Sequence, residues 1–503
     1  MRSVRTRWIG AGVGALVFGV ALVLLRGTPA AGSDQGIVLS VVARMLDGDH
    51  LYSDVIENKD PLFFYTAAAA FWAGDWRGPF LLEGVWLGVA GLSFALLLRE
   101  LRAPRPAVVA GFFVYPLALT SGWYQSGLTM LAALAIAPLP AWLWLRGRFA
   151  AAGALVGAVM LFKLNLAAVA GAPLAAFFLL GTPTGSRRGQ IGRAAAGLAG
   201  ALALMAVVLA AQGALRAYLD TIPYNIHYAN ALLASDGTLG RMEEHFEVVV
   251  DYFRAAGRWQ LPTAVLVLGV FAVSAYLAWG RGNRQRVLAA ASASTVLLTL
   301  GTLALTAYWS HHLQMLAYPA AFVAATLISV AASILGSRAG AVVAAGCVLF
   351  ALWSSVKNED RIDVSPAWRT TPFSAGATVL EDARLRYHAR SDRVTYMVFG
   401  GNSESAHAAF IGEEFDLVCR WFHLYPSSLE KQFDETLDCA ATEDPMLVLV
   451  TLGFFDDRPA PQEWTSFVSG ARRFLESRYE LVGEEHPGFQ AWARKPVPEE
   501  APA

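Results

Sequence analysis

Charge is scarce in this chain of 503 residues: 16% are Asp, Glu, Lys or Arg, against 55% apolar. Average globular chains carry about 25% charged residues. The little charge present nearly cancels, to a net −1, so no overall field draws the chain to nucleic acid or to an anionic surface. Cysteine is rarer still, three in all. No Gly-rich phosphate loop appears, since Gly400-Gly401 is too slight to count as one. Convincing internal repeats are also missing, which argues against the repeat-built transporters.

What is present is long apolar runs. A helix needs about 20 mainly apolar residues to cross a bilayer. Runs of that kind begin near Trp8, Phe80, Ala107, Gly127, Phe149, Leu164, Ile191, Leu261, Val287, Leu313 and Ala339. The expected fold class is therefore a polytopic α-helical membrane protein of about eleven transmembrane helices. The first run is read as an uncleaved helix rather than a signal peptide, because the residues after it need a tether. From Lys357 onward the composition becomes that of an ordinary soluble domain, which divides the chain into 1–356 and 357–503.

Arginine sets the expected orientation. Arg2, Arg5 and Arg7, then Arg99, Arg102 and Arg105, Arg146 and Arg148, Arg187, Arg188 and Arg193, Arg281, Arg284 and Arg286, and Arg338 all fall in alternate loops. The positive-inside rule makes those loops cytoplasmic and the C-terminal domain extracytoplasmic. Cys419 and Cys439 then lie in an oxidising compartment, and a disulfide between them is expected; two buried thiols are the other reading. That domain reads as α/β, with strands at Arg393–Phe399, Met446–Val450 and Gln490–Ala493 and a helix over Glu463–Tyr479.

Polar residues concentrate in three segments on the outer side, and at membrane depth such clusters lean towards function. In the first, residues 28–79, Ile37, Val38, Val41, Val42 and Met45 recur at helical spacing opposite Ser40 and Arg44, the pattern of an amphipathic interfacial helix. Ser33-Asp34 opens it, either as a cap or as a carboxylate held at the surface for acid–base work. Leu62–Trp72 is too short to span. The second segment, about 212–260, carries Pro223-Tyr224-Asn225, and the third is Tyr308-Trp309-Ser310-His311-His312-Leu313-Gln314.

The first loop resembles that of the GT-C membrane glycosyltransferases, in particular the family 39-like group of protein O-mannosyltransferases and lipid A aminoarabinose transferases. Gly48, Tyr52, Asp54, Lys59 and Pro61 match a Gly-x-x-x-Tyr-x-Asp stretch followed by Lys-x-Pro. Phe162-Lys163, Pro223-Tyr224-Asn225 and His311-His312-Leu313-Gln314 followed by Pro319 are similar to the same group. Asp60 stands where the group has proline, and Ser121–Ser126 supplies only Gln125 where a second acid is common.

The resemblance implies transfer of a hexosyl or pentosyl unit, with inversion, from a polyprenyl-phosphate donor to a lipid, glycan or protein acceptor at the outer face of the cytoplasmic membrane. Asp34 would then be the catalytic acid–base group. Lys59 would bind the donor phosphate, with His311, His312 and Lys163 as further cations, because the departing phosphate gains negative charge. Tyr52, Asp54, Glu57, Asp60, Gln125, Asn225, Tyr308 and Gln314 are candidate substrate contacts. No cofactor is called for. Adjacent histidines on a helix point about 100° apart, so a divalent metal is not indicated at His311-His312. The competing readings are a lipid-linked oligosaccharide polymerase or ligase and a lipid or sugar transporter.

Overall fold

The computed structural model describes residues 2–25, 35–57, 59–75, 77–121, 129–180, 186–231, 260–280, 283–306, 310–356, 394–400, 415–421, 424, 428, 430–451, 454–455, 462–485 and 489–495, with isolated helical positions between 240 and 251. Helices α1 (Arg2–Leu25), α2 (Gln35–Asp47), α3 (Pro61–Gly74), α4 (Arg77–Glu100) and α5 (Arg105–Leu119) come first. They are followed by α6 (Thr129–Ile136), α7 (Pro138–Leu145), α8 (Phe149–Phe162), α9 (Leu166–Leu180), α10 (Arg187–Ala211) and α11 (Leu215–Ala231). Then come α12 (Gln260–Trp279), α13 (Asn283–Thr306), a 3-10 segment (Ser310–Leu316), α14 (Ala317–Leu335) and α15 (Ser337–Val356).

Every apolar run of the sequence falls on these helices. Among the described residues, five segments are long and apolar enough by themselves to cross a membrane: Arg77–Glu100, Arg187–Ala211, Gln285–Leu305, His312–Leu335 and Ser337–Ser355. Others are shorter than the sequence pattern suggests, with 14 residues in α8 and 15 in α9. The cause is local. At Lys163 the backbone turns extended (φ −162°, ψ 109°) and ends α8 before α9 begins at Leu166.

The run from Thr129 to Leu145 is broken as well, because Pro138 has no N–H to offer the Leu134 carbonyl. The Ala137 N–H donates to that carbonyl at 3.1 Å, and the Tyr115 hydroxyl adds a second bond at 2.5 Å. Ser93 donates to the Ala135 carbonyl at 2.9 Å and Tyr318 to that of Ala137 at 3.4 Å. In an apolar surround these bonds also satisfy the hydroxyls themselves, which would cost several kcal/mol unpaired. They come from α4, α5 and α14, whose rings Phe94, Tyr115, Tyr318 and Phe322 interlock at the same level.

Small residues set how closely helices approach. A Cβ on Gly153 would stand 1.8 Å from the Ala194 carbonyl oxygen, and one on Gly197 1.8 Å from that of Ala150. Helices α8 and α10 therefore touch backbone to backbone, the contact that drives association where water does not. The outward faces of α10 and α15 are apolar and uncovered, with Leu204, Val207, Val342 and Leu349 all exposed. Lipid is the solvent that suits them.

The helix ends form two groups. An ion pair of 4.0 Å between Glu100 and Arg146 joins the α4–α5 and α7–α8 turns, where arginines collect. At the opposite end lie α3, the Lys163–Asn165 turn and Gln212. Here one expectation needs correction. Helix α2 is no half-exposed interfacial helix, since Ile37, Val38, Leu39, Ser40, Val41 and Val42 are all buried. Its apolar side packs against α3, and Arg44 reaches the C-terminal unit at the Cys419 carbonyl. Helix α3 buries Phe63, Phe64, Ala67 and Ala68 but leaves Trp72 in the open.

The expected boundary at 356–357 lies at the end of α15, and residues 357–393 are outside the described set. Beyond them, strands β1 (Val394–Phe399), β2 (Phe415–Leu417), β3 (Leu447–Thr451), β4 (Tyr479–Glu485) and β5 (Phe489–Arg494) form one sheet in the order β2-β1-β3-β5-β4. The first three are mutually parallel, while β5 runs antiparallel to both β3 and β4. Helices α16 (Glu430–Glu443) and α17 (Gln462–Arg478) complete the unit. The strand periodicity of two divides the side chains cleanly. Met397, Phe399, Val448 and Val450 share a cluster with Phe433 and Phe467 of α16 and α17. Tyr396, Val398, Leu447, Leu449, Ala491 and Ala493 belong to the buried cluster that continues through α2, α3 and the long helices. The sheet is covered on both faces, which is why β3 is buried at every position. Cys419, just after β2, is disulfide-bonded to Cys439 of α16 with 5.7 Å between their Cα atoms.

Gly197→Val places branched carbon into the Ala150 backbone. It is expected to cost about 1–3 kcal/mol or more, read as a lower melting temperature in detergent; a variant melting with the wild type would show that α8 and α10 do not need this contact.

Candidate functional site at the helix ends

The first loop is folded tightly enough that most of its motif residues have structural partners. Gly48 ends α2 at φ +114°, a backbone open chiefly to glycine. The expectation from sequence that no nucleotide-sugar Asp-x-Asp is present needs correction, since Asp47-Gly48-Asp49 has that form; it is a helix terminus, and Asp49 is ion-paired with Arg44. The Asp54 carboxylate accepts the His50 N–H at 2.8 Å, and the Asp54 N–H returns to the His50 carbonyl at 3.0 Å. Between them Tyr52 sits at φ +74°, a conformation costing on the order of 1–3 kcal/mol for a non-glycine residue. Burial compensates. The Tyr52 ring is wholly buried, its centroid 4.9 Å from that of Tyr218 on α11, and its hydroxyl donates to the Lys59 carbonyl at 2.6 Å. Burial, with Asp60 and Glu57 nearby, pushes the phenol well above its ordinary pKa, so it stays a donor.

Lys59 lies on that platform. Its ammonium meets the Glu57 carboxylate at 2.8 Å, with Glu57 fully buried and Lys59 14% exposed. The next residue, Asp60, precedes α3, where Pro61 takes the first turn. It does not cap that helix. One carboxylate oxygen accepts the Leu164 N–H at 3.0 Å, and the other accepts the Tyr218 hydroxyl at 3.3 Å. Desolvation raises the Asp60 pKa, opposed by the Leu164 N–H, the nearby Lys163 charge and the Tyr218 hydroxyl. Tyr65, one turn into α3, is hydrogen-bonded to the Gln212 side chain at the end of α10.

The structure thus brings Tyr52, Glu57, Lys59, Asp60 and Lys163 of the sequence-predicted set together. Asn225 lies on α11, two turns beyond Tyr218 and on about the same face. Gln314 belongs to the 3-10 segment and donates to the Leu119 carbonyl at the end of α5 at 2.9 Å, while its own carbonyl oxygen is buried without a hydrogen bond. His312 is buried in the same segment. Asp34, Gln125 and Tyr308 lie outside the described residues, as does the His311 side chain. Among the described residues no group of three or more His, Cys, Asp and Glu side chains could hold a metal ion.

Sequence reasoning missed Tyr218 and Gln212, which are ordinary residues in their own segments, and it saw Arg44 only as the polar side of a helix. It also missed the attachment of the first loop to the C-terminal unit. The Ile56 N–H donates to the Arg420 carbonyl at 2.7 Å, and Ile56 pairs with Trp421 as a parallel bridge. Arg44 donates to the Cys419 carbonyl at 3.4 Å. An open cleft of about 570 Å³ runs along this junction, lined by Arg44, Asp54, Arg420, Trp421, Asp438 and Glu443 among others. At its wall, Glu435 accepts from Arg420 and, at 2.9 Å, from the Trp421 indole. Desolvation raises the Glu435 pKa, but these bonds and Lys431 outweigh it and hold the carboxyl below its ordinary value.

No protein-family model matches the chain, and no curated protein sequence does so significantly. Solved structures do match. ArnT from Cupriavidus metallidurans in the apo state superposes with a TM-score of 0.52 at 11% identity, covering 97% of this chain and 98% of that one. The same protein bound to undecaprenyl phosphate gives 0.52 at 12% identity, with the same coverage. The chain has the GT-C glycosyltransferase fold. The arabinofuranosyltransferase AftD from mycobacteria shares the GT-C fold at a TM-score of 0.50 and 13% identity, with 98% of this chain covered but only 40% of AftD. Likeness along nearly the whole length of ArnT makes this an integral membrane protein whose helices and C-terminal sheet form one GT-C-type assembly.

Asp60→Asn would keep one acceptor oxygen and turn the other into a donor facing Leu164 N–H or Tyr218. It is expected to lose roughly 1–3 kcal/mol, measured by thermal melting in detergent. Melting with the wild type would show that the carboxylate does not hold the α3, α8–α9 and α11 junction together.

Proposed function

We propose that this protein is a glycosyltransferase that moves a sugar from a polyprenyl-phosphate donor to an acceptor hydroxyl on the outer face of the cytoplasmic membrane. The observation that carries the reading is a lysine held in place beside a junction that brings in a second one. Asp60, the residue after Lys59, bridges 104 residues of chain to Leu164 through its carboxylate and lies near Lys163. Glu57 fixes the direction of the Lys59 ammonium, and the partial exposure of Lys59 leaves it reachable from outside. When the glycosidic bond breaks, the departing polyprenyl phosphate gains negative charge. A cation already aimed at that oxygen lowers the barrier without reorganising at the moment of reaction. The likeness to a protein solved with undecaprenyl phosphate supports a lipid-linked donor.

In this reading Asp34, one residue before α2, takes or polarises the acceptor proton as the hydroxyl attacks the anomeric carbon. The arginine-rich turns tied by Glu100 and Arg146 face the cytoplasm, and the Lys59 end with the C-terminal unit faces outward. No specific observation favours a polymerase, a ligase or a transporter.

Lys59→Ala should weaken undecaprenyl-phosphate binding and slow single-turnover transfer together, because the same charge contacts ground and transition states. Lys59→Arg should restore only part of each, since a planar fork does not replace a compact ammonium. Asp34→Asn should abolish transfer while leaving binding of undecaprenyl phosphate intact. If Lys59→Ala only lowers the melting temperature, and its folded fraction transfers at the normal rate, Lys59 is an interface anchor and this reading fails.

A further inference from the structure

The Lys59 loop does not stand alone. Among the described residues it is attached to the C-terminal unit through residues 419–421, and that segment is itself held at both ends. On one side Cys419 is bonded to Cys439 of α16. On the other, Arg420 and Trp421 both donate to Glu435, one turn earlier on the same helix. Cys419 takes φ +66°, a left-handed conformation that an unconstrained cysteine rarely keeps. It is this turn that presents the Arg420 carbonyl to the Ile56 N–H at 2.7 Å and the Cys419 carbonyl to Arg44. Ile56 adjoins Glu57, and Glu57 holds the Lys59 ammonium at 2.8 Å. From the other direction, Arg44 donates to the Asp54 carbonyl at 3.2 Å while paired with Asp49, so it grips both ends of the turn from 49 to 54.

We propose that the Cys419–Cys439 bridge and Arg44 are positioning elements for the donor-binding lysine: they hold the 419–421 turn against Ile56, and through Ile56 they set where Glu57 aims Lys59. The inference rests on the donor reading of Lys59 given above. It assigns the C-terminal unit a share in donor binding, exerted through Ile56 and Glu57 on Lys59.

The experiment uses the full chain in detergent, with undecaprenyl phosphate as the probe. Binding and amide hydrogen exchange over residues 51–57 are measured for the wild type, Cys419→Ser/Cys439→Ser and Arg44→Gln, each with and without Lys59→Ala. Arg44→Gln keeps the disulfide and covers the case in which the double serine variant does not fold. The expected result is exchange at Ile56 faster by about tenfold or more, and binding weaker by roughly tenfold, the scale of one lost hydrogen bond to a charged group. In the Lys59→Ala background neither change should weaken binding further, because the residue being positioned is gone. A support that was merely structural would reduce the bindable fraction at unchanged affinity. Unchanged exchange at Ile56 overturns the brace. Faster exchange with unchanged affinity, where Lys59→Ala does weaken binding, overturns the positioning role. Wild-type affinity in Lys59→Ala overturns the donor reading itself, and the brace then stands or falls on the exchange data.

Discussion

A carboxylate at a crowded junction needs its charge answered from several sides, and in this protein that need joins the parts that matter. Asp60 accepts from Leu164 and Tyr218 and lies near Lys163, so one side chain ties the start of α3 to the α8–α9 turn and to α11. The short helices α8 and α9 follow from the same junction. Ending α8 at Lys163 frees backbone N–H groups, and the Leu164 N–H goes to Asp60. Tyr52 makes its strained turn only because Tyr218 and the Lys59 carbonyl receive its ring and hydroxyl. Lys59 is the point at which these constraints meet.

The interior of the helical part follows a second rule, that backbone groups away from water find partners inside the protein. Pro138 breaks one apolar run, and three hydroxyls from neighbouring helices find their acceptors among the carbonyls at the break. The break therefore becomes a packing centre for α4, α5 and α14. The C-terminal sheet is subject to the same accounting. With α16 and α17 on one face and the cluster that continues into α2, α3 and the long helices on the other, the central strands β1 and β3 read as nearly continuous apolar runs. That double cover makes the sheet part of the site's support and not an appended module.

Much of this was legible from residue order. The apolar runs fall on helices, though one is broken and others are cut short, and the three expected strands and the helix near Glu463–Tyr479 appear close to where the residue pattern placed them, because that pattern is read locally. Lys59 and Lys163 were singled out one at a time, from a motif and from the end of a span, and the junction at Asp60 that brings Lys163 close was not visible. Helix α2 shows the limit plainly. Its spacing describes one apolar side and one polar side, yet Ser40 is buried with the rest, and Arg44 reaches a carbonyl 375 residues later.

The sequence by itself determined the class of fold, the apolar segments that become helices and the loop that bears the polar residues, since each follows from local composition and period. Tertiary structure alone decided which of those residues share a site. Asp60 reads as a free acid in a loop until Leu164 arrives to occupy it, and Arg44 as a surface cation until the Cys419 carbonyl stands before it. The physical reason is that hydrogen bonds and ion pairs act over about 3–4 Å in space and are indifferent to separation along the chain. Only the folded backbone brings positions 60 and 164, or 56 and 420, within that reach.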